Sequence, residues 1–386
     1  KEHKLNPDYI PSLNSKTKLF DVSTTSIKNK GVSDFGAFLT NDNELYFAST
    51  RTNKKTDKWN NQPYLDIYKS IRNVNGTFSE PVEVSELNTP FHDGPVTIST
   101  DGNTMFFARD GHSEGQFQKN KSSNTKVGQQ GLYIATKTDG KWTNINALPI
   151  NSKEYSVTNP SLSSDGKTLY FASNMPGGMG ESDIWKLSIN GSNYGKPENL
   201  GSNVNTAGKE NFPFITEDST LYFASTGKQG FGGFDVFKFN LKGNEESQNV
   251  GQPLNSEKDD FGFSFNKKQN VGYFSSNRNG TDAIYGASPI CKSQAIVLVT
   301  NKKTGDIINN ANVSILDSKG NTIETTSTNS LGKVNYNIDC NTNYSLNVTA
   351  PNFETATFPI SKVNSGEVTI PAELVPVEVI ITDREV

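Results

Sequence analysis

The feature that most constrains this chain is a five-residue motif that returns five times. Its first copy is Leu45-Tyr46-Phe47-Ala48-Ser49, and the central residues of the copies are Phe47, Phe107, Phe171, Phe223 and Phe274. Successive anchor phenylalanines are 60, 64, 52 and 51 residues apart. Periods of this length are typical of repeat architectures, in which each repeat is one supersecondary unit that stacks on its neighbours.

Each repeat is predicted to contain four strands. A strand with side chains spaced by two precedes each anchor, and nine residues before the anchors lie Phe38, Ile98, Leu162, Phe214 and Phe265. A tight turn such as Asp101-Gly102 then leads into the anchor strand. A third strand follows, for example Asp183-Ile184-Trp185, and a fourth ends in asparagine, as at Val204-Asn205. Four strands per unit and five units predict an all-β, five-bladed β-propeller.

The fifth unit lacks a fourth strand, because the propeller pattern stops at Gly286-Ala287-Ser288-Pro289. The segment Leu19 to Lys28 is strand-like, and Asn29 precedes Asp34 by the interval that separates Asn88 from Asp93. We therefore expect this segment to pair with the strand around Asp282 to Tyr285 and to close the ring, which removes open sheet edges. Residues 1–17 are then a linker and residues 18–290 the propeller.

Residues 291–386 form short alternating strands with turns at Thr304-Gly305, Lys319-Gly320 and Leu331-Gly332, which predicts a second, smaller β-sandwich. The two cysteines of the chain, Cys291 and Cys340, both fall in this domain. Two lone cysteines in one small β domain favour a disulfide and an oxidising compartment, whereas two buried free thiols are the alternative.

Two segments carry a family resemblance. The run from Ser161 to Ser173, with the glycine-rich loop that follows it, resembles the TolB-type, WD-like propeller repeat of periplasmic proteins. The run from Thr304 to Val313 resembles the carboxypeptidase regulatory-like fold, a transthyretin-like, Ig-like sandwich. Blade two departs from the repeat, with Gly131 in place of an aspartate and a polar insertion before it.

The order of the two domains resembles the PorE-like envelope proteins of the OmpA family, which are associated with type IX secretion and gliding. The resemblance implies a periplasmic, outer-membrane-associated protein whose partners are envelope or secretion-complex subunits. In that family an OmpA-like domain binds peptidoglycan. No such domain is recognised in these residues, so peptidoglycan is expected to be bound only through a domain outside this sequence.

Composition and residue types exclude several functions. The net charge of −4 is too small to indicate a nucleic-acid-binding protein. Three histidines, His3, His92 and His112, are too few and too scattered for a zinc site, so neither a metal nor a cofactor is predicted. Aspartates recur at one blade position, Asp66, Asp183, Asp235 and Asp282. We interpret them as acceptors of backbone hydrogen bonds rather than as calcium ligands, because no run of closely spaced acids surrounds them.

The best candidate binding surface is formed by the loops at the blade entrances and after the anchor strands, which gather on one face of a propeller. The residues expected there are Phe35, Arg51, His92, Asp93, Arg109, Asn174, Phe212, Phe261 and Arg278. No nucleophile elbow or metal cluster accompanies them, so we expect a binding and scaffolding module that docks a partner protein or peptide and is not an enzyme. The alternative is a propeller glycoside hydrolase or peptidase using the channel carboxylates Asp34, Asp93, Glu210 and Asp260.

Overall fold

In the computed structural model, residues 9–14, 18–29, 31–51, 56–57, 62–120, 125–243, 245–290, 292–340, 342–363 and 367–378 are described. The chain divides into two compact units, Lys1–Pro289 and Ile290–Val386. The first begins with a six-residue helix, α1 (Tyr9–Asn14), inside the segment predicted to be a linker. Almost everything after it is β-structure, as the repeat predicts.

The first unit consists of β-sheets built from consecutive strands. The strand β1 (Phe20–Thr24) comes first and precedes the first blade in the chain. The first blade contains β2 (Asp34–Leu39), β3 (Glu44–Ser49), β4 (Asp66–Ile71) and β5 (Val82–Glu83). The second contains β6 (Asp93–Ile98), β7 (Thr104–Asp110), an inserted hairpin of β8 (Phe117–Asn120) and β9 (Thr125–Gly128), then β10 (Gln130–Thr138) and β11 (Lys141–Ala147).

The other three blades repeat the same plan. The third contains β12 (Val157–Leu162), β13 (Thr168–Ser173), β14 (Asp183–Asn190), β15 (Asn193–Tyr194) and β16 (Glu198–Asn199). The fourth contains β17 (Glu210–Ile215), β18 (Thr220–Ser225), β19 (Asp235–Asn240) and β20 (Gln248–Asn249). The fifth contains β21 (Asp260–Asn266), β22 (Val271–Ser276) and β23 (Ala283–Pro289).

The innermost strands β2, β6, β12, β17 and β21 contact one another in a closed ring. Between neighbouring blades lie apolar layers in which the anchor phenylalanines are at most 1% exposed. Full burial of such a side chain stabilises the fold by about 1.5–3 kcal/mol. The repeated motif is therefore the residue set that holds one blade against the next.

The ring closes as predicted. Strand β1 pairs antiparallel with β23, from Phe20 opposite Pro289 to Thr24 opposite Tyr285. The Thr25 hydroxyl donates to the carbonyl of Ile284 at 2.9 Å, and the Asn29 amide donates to the carbonyl of Asp282 at 2.7 Å. Phe20, which is 6% exposed, packs on Phe263 at a ring distance of 5.2 Å. The first described strand thus completes the last blade.

The recurring asparagine has a defined structural role. Asn205 accepts a hydrogen bond from the backbone N–H of Ile184 and donates one to its carbonyl, at 2.7 and 3.0 Å. Asn255 makes the same two bonds with Val236. Each asparagine therefore joins the end of its blade to the third strand and substitutes for a ladder pair where the outer strand is short.

Every innermost strand carries a register shift near its middle. In β2 the pairing with β3 is interrupted between Phe35 and Phe38, and β17 shows the same interruption between Asn211 and Phe214. Such a bulge bends the strand and re-aims the side chains beyond it. As a result Phe38 and Phe214 pair with the residue directly before their anchor phenylalanines, Tyr46 and Tyr222. Ile98 has the same sequence spacing from its anchor, but it pairs with Met105, which lies two residues before that anchor.

The second unit is a sandwich of two sheets. Its strands are β24 (Lys292–Asn301), β25 (Asn312–Leu316), β26 (Thr322–Ser327), β27 (Lys333–Asp339), β28 (Tyr344–Thr349), β29 (Ala356–Ile360) and β30 (Glu367–Leu374). One sheet has the order β27-β24-β30 and the other β26-β25-β28-β29. Cys340 is disulfide-bonded, whereas Cys291 lies outside the described residues, so their pairing stays a prediction.

Candidate functional site

The carboxylates at the blade entrances are buried and bound within their own blades. Asp93 is fully buried, and its Oδ1 accepts from Arg109 Nε at 2.8 Å while its Oδ2 accepts from the backbone N–H and hydroxyl of Thr89. Asp260 repeats this arrangement with Arg278 at 2.6 Å and with Ser256. In both cases burial raises the pKa of the carboxyl, while the arginine and the hydroxyl oppose the increase.

Blades one and four vary this arrangement. Glu210 accepts from the Ser225 hydroxyl at 2.6 Å and from Thr206, so hydroxyl groups replace the arginine. Asp34 accepts from Arg51 at 2.6 Å, but its Oδ1 is buried without a hydrogen-bond partner among the described residues. The residue four positions before Asp34 is a lysine, where blades two, four and five have Thr89, Thr206 and Ser256.

The predicted polar contacts on the entrance face are therefore largely structural. The Arg109 guanidinium lies over the rings of Phe107 and Tyr133, 5.0 and 4.9 Å from their centroids. Asp93 is fully buried, and Arg109 exposes only a small part of its side chain to a partner. Arg51 and Arg278 are partly exposed, although each has its guanidinium on a buried carboxylate.

The other predicted residues of this face are accessible to different degrees. Asn174 is exposed and accepts from the backbone N–H of Ser156 at 2.8 Å. His92 accepts from the N–H of Leu65 and lies against Tyr64, and burial lowers the pKa of its imidazole. The face is thus a set of loops held by their own hydrogen bonds, and its docking role stays a prediction.

The three predicted apolar contacts, Phe35, Phe212 and Phe261, come together at the entrance end of the central channel. Their ring centroids are 6.2, 6.0 and 4.9 Å apart, although they belong to three different blades. Phe261 is buried, and the other two are half-buried. Because aromatic rings at these distances stabilise one another, the cluster ties the innermost strands together as well as narrowing the channel.

The recurring third-strand aspartates have the structural role that the sequence predicts at two positions. Asp183 accepts hydrogen bonds from the backbone N–H groups of Met179 and Gly180. Asp235 accepts from Phe231 and Gly232 at 3.1 and 3.0 Å. These contacts confirm that the glycine-rich loops before β14 and β19 fold onto the carboxylates.

A large cavity in the described part of the propeller opens at the opposite end of the channel, a location that the sequence did not indicate. It has a volume of about 650 Å³ and lies where the innermost strands turn back into the anchor strands. Its walls are mainly apolar and include Leu19, Phe20, Phe38, Leu39, Ile98, Leu162, Phe214, Ile215, Tyr222 and Phe265. We call it the turn-face cavity. Volumes of 300–1,000 Å³ are typical of ligand-binding pockets, and apolar walls are too.

The turn-face cavity is closed towards the entrance face. The middle of the channel, beside Gly36, Pro95, Pro160 and Gly262, holds a space of only about 30 Å³. A space of this size admits no more than a few water molecules. An added Cβ at Gly36 would lie 2.8 Å from Pro95, so the neighbouring backbones already approach closely. A ligand can therefore enter the cavity from the turn face but cannot pass through the ring.

The polar side chains at the cavity mouth are mostly engaged in their own turns. The hydroxyls of Ser99 and Ser163 donate to Asp101 and Asp165, at 2.5 and 2.6 Å. The hydroxyl of Thr216 donates to Asp218 in the same way. Hydrogen bonding lowers the pKa of all three aspartates, so they are charged at neutral pH. The mouth is a rigid polar rim around an apolar interior.

The described residues contain neither a metal-binding cluster nor a membrane-crossing helix. No group of three or more histidine, cysteine, aspartate or glutamate side chains there is placed to hold a metal ion. No helix in these residues has the length and the apolar composition that are needed to cross a membrane.

Comparison with known proteins identifies the domain type of the second unit. The carboxypeptidase regulatory-like domain matches residues 297–374. No curated protein matches the chain. Among solved structures, TolB from Acinetobacter baumannii is 11% identical with a TM-score of 0.36, and the match covers 81% of this chain and 80% of that one. An α-L-arabinofuranosidase from Lactobacillus brevis is 12% identical with a TM-score of 0.45, over 72% of this chain and 93% of that one.

These similarities to solved structures are too distant to carry a function. The fold rests on the sheets themselves, a ring of antiparallel blades in the first unit and a sandwich in the second. The chain is therefore an all-β propeller protein. More particularly, it is a propeller followed by a carboxypeptidase regulatory-like domain.

Proposed function

We propose that this chain is a non-catalytic binding and scaffolding module that holds a segment of a partner protein at the turn face of its propeller. The observation that carries the proposal is the turn-face cavity, an apolar space of about 650 Å³ with a rigid polar rim and a closed inner end. Such a cavity can hold a ligand in a defined position. Propellers suit this role because a rigid ring positions loops that vary freely.

The contacts of the channel carboxylates support binding rather than turnover. Asp93 and Asp260 each hold an arginine and a hydroxyl, and Glu210 holds two hydroxyls. A glycosidase pair needs one protonated and one ionised carboxyl facing the same bond. These carboxylates accept hydrogen bonds from residues of their own blades, and this supports a structural role for them.

The cellular setting follows from the family resemblance. A TolB-type propeller joined to a carboxypeptidase regulatory-like domain is consistent with a periplasmic, outer-membrane-associated protein of the PorE type. We propose that its partners are envelope proteins, among them subunits of a type IX secretion complex. The disulfide at Cys340 is consistent with an oxidising compartment.

Site-specific photocrosslinking tests the proposal. A photoreactive phenylalanine analogue replaces Phe214 in the cavity wall, Phe35 at the entrance face, or the fully exposed Val74 as a background control. After irradiation in an envelope extract of the source organism, we expect a discrete protein adduct at position 214 that is absent at position 74. The same adduct should disappear when unmodified protein is added in excess.

Two other outcomes have defined meanings. An adduct formed only at position 35 would place the partner on the entrance face and contradict the turn-face site. No adduct at either position, or hydrolysis of glycan or peptide substrates by the purified chain, would contradict the binding function itself.

A further inference from the structure

The cavity wall contains a lysine whose equivalents in other blades have acidic partners. In three blades a tyrosine of the anchor strand pairs across the sheet with a lysine of the third strand: Tyr46 with Lys69, Tyr170 with Lys186, and Tyr222 with Lys238. The three lysines therefore occupy one repeat position. Of these, Lys238 lines the turn-face cavity, together with Tyr222.

The first two lysines are neutralised within their blades. Lys69 Nζ lies 2.9 Å from Glu44 Oε1, and Lys186 Nζ lies 3.3 Å from Glu198 Oε2. Glu198 is the residue directly opposite Lys186 on the outer strand, and the corresponding residue opposite Lys238 is the neutral Gln248. In the described part of the chain, no carboxylate lies within 4.0 Å of the Lys238 ammonium. A half-buried cation is thus left facing the cavity.

The cavity wall that contains Lys238 also contains apolar residues of the layer between blades four and five. The repeat position occupied by the fully buried Leu45, Met105, Leu169 and Leu221 is Gly272 in the fifth blade. The ring of Phe263 covers this glycine, since an added Cβ would lie 3.1 Å from its Cε2. The cavity extends into this layer between blades four and five, where Leu19, Phe20 and Pro289 line it.

We propose that the turn-face cavity binds the C-terminal end of a partner polypeptide, with its last apolar side chains in the cavity and its terminal carboxylate on Lys238. This inference rests on the proposed function and names the part of the partner that is recognised. A charge-assisted hydrogen bond from an ammonium to a carboxylate is stronger than a neutral one, most of all where little water reaches it.

Two observations favour a chain end over an internal segment. The inner end of the cavity narrows to about 30 Å³, so a polypeptide can enter but cannot continue through the channel. The hydroxyls at the mouth already donate to Asp101, Asp165 and Asp218, so they offer few hydrogen bonds to a long stretch of backbone. Of the lysines that line the cavity, Lys267 is paired with Glu217 and Lys268 is exposed, so Lys238 is the half-buried cation that a ligand carboxylate can reach beside the apolar walls.

A matched pair of peptide pools and a matched pair of variants test the proposal. The peptides carry fluorescein at the N-terminus and are randomised among Leu, Ile, Val and Phe at their last three positions, with either a free carboxylate or a carboxamide at the end. Binding to the full chain is measured by fluorescence anisotropy for the wild type, for Lys238→Gln and for Lys186→Gln. Glutamine removes the charge and keeps a polar side chain with a shorter aliphatic stem, and Lys186 is the same repeat position without the cavity.

We expect the free-acid pool to bind the wild type about tenfold or more tightly than the amide pool, the effect of losing one charge-assisted hydrogen bond. Lys238→Gln should remove that preference, and Lys186→Gln should retain it. Higher ionic strength should weaken binding of the acid pool and leave the amide pool nearly unchanged.

Equal binding of the acid and amide pools, or an acid preference that survives in Lys238→Gln, would overturn the carboxylate assignment. Binding of decanoate in place of either peptide pool would also overturn it, in favour of a free amphiphile. In these cases a photocrosslinked partner at position 214 would leave the proposed function standing. If neither pool binds and position 214 captures nothing, both proposals fail.

Discussion

Replacing Arg109 with methionine should destabilise the propeller strongly, because it removes the cation that balances a fully buried carboxylate. Asp93 is 0% exposed and the Arg109 side chain is 8% exposed, with 2.8 Å between Nε and Oδ1. Methionine keeps much of the apolar volume against Phe107 and Tyr133. The variant therefore tests the charge more than the packing.

The magnitude follows from the burial of the pair. Breaking a buried ion pair by removing one partner costs about 3–5 kcal/mol, because the remaining charge is left without compensation. Asp93 still accepts two hydrogen bonds from Thr89, which places the expected loss towards the lower end. Converting the acid as well, in Asp93→Asn/Arg109→Met, removes the buried charge. The double variant should thus lose at least about 1 kcal/mol less than the sum of the single variants.

Tryptophan fluorescence during urea unfolding measures this loss in the propeller alone. The three tryptophans of the chain, Trp59, Trp142 and Trp185, all precede Pro289, so the sandwich contributes no signal. Lys209→Met is the control: its ion pair with Glu181 is exposed, at 48% and 67%, and should contribute no more than about 1 kcal/mol.

The pH dependence gives a second check. Burial raises the pKa of Asp93 in the folded state above its unfolded value, and loss of the arginine raises it further. A raised carboxyl pKa favours folding at low pH and loses that contribution as pH increases, so the cost of Arg109→Met should be larger at pH 8 than at pH 5. A loss below about 1 kcal/mol at pH 8, or strict additivity in the double variant, would refute the reasoning.

Two further predictions concern closure and protonation. Phe20→Ala should lower the unfolding free energy by about 3–5 kcal/mol, because Phe20 is only 6% exposed and packs against Phe263. Deletion of residues 1–29 should lower the thermal midpoint sharply. An unchanged midpoint would contradict closure of the ring by β1. Burial raises the pKa of Asp235 to about 7 from 3.8, so the folded state holds an extra proton between these values and loses stability as pH increases through them. Urea unfolding from pH 4 to 8 should therefore show a smaller decline in Asp235→Asn than in the wild type, and an identical decline would exclude Asp235 as the source.

The blades and their closure could be predicted because they depend on local, repeated chemistry. Buried anchors such as Phe171, turn residues such as Asp165-Gly166 and the asparagine intervals all recur at fixed offsets. Because the same residue pattern is present in five copies, it can be recognised even though the loops between the strands differ in length. The pairing of Phe20–Thr24 with the last blade followed from one asparagine interval, that of Asn29 and Asp34.

The candidate site was harder to predict because it depends on side-chain direction. Sequence spacing could place Asp93 and Arg109 on one face, but it could not show that they bind each other. The bulge in each innermost strand also moves side chains out of the alternation that spacing implies, as the different pairing of Phe38 and Ile98 shows. The turn-face cavity is lined by residues of all five blades, so no single repeat could have indicated it.

The closing strand β1 is synthesised long before β23, the strand with which it pairs. The hydroxyl of Thr25 must wait for the carbonyl of Ile284, which is 259 residues later in the chain. At about 5–20 residues per second, a ribosome needs on the order of tens of seconds to supply that partner. During that interval Phe20 and the edge of β1 have no blade to join, and such unpaired strands are prone to wrong pairing. The nascent chain therefore exposes an unpaired strand, and the yield of folded protein should depend on how well β1 is protected from other strands until β23 is synthesised.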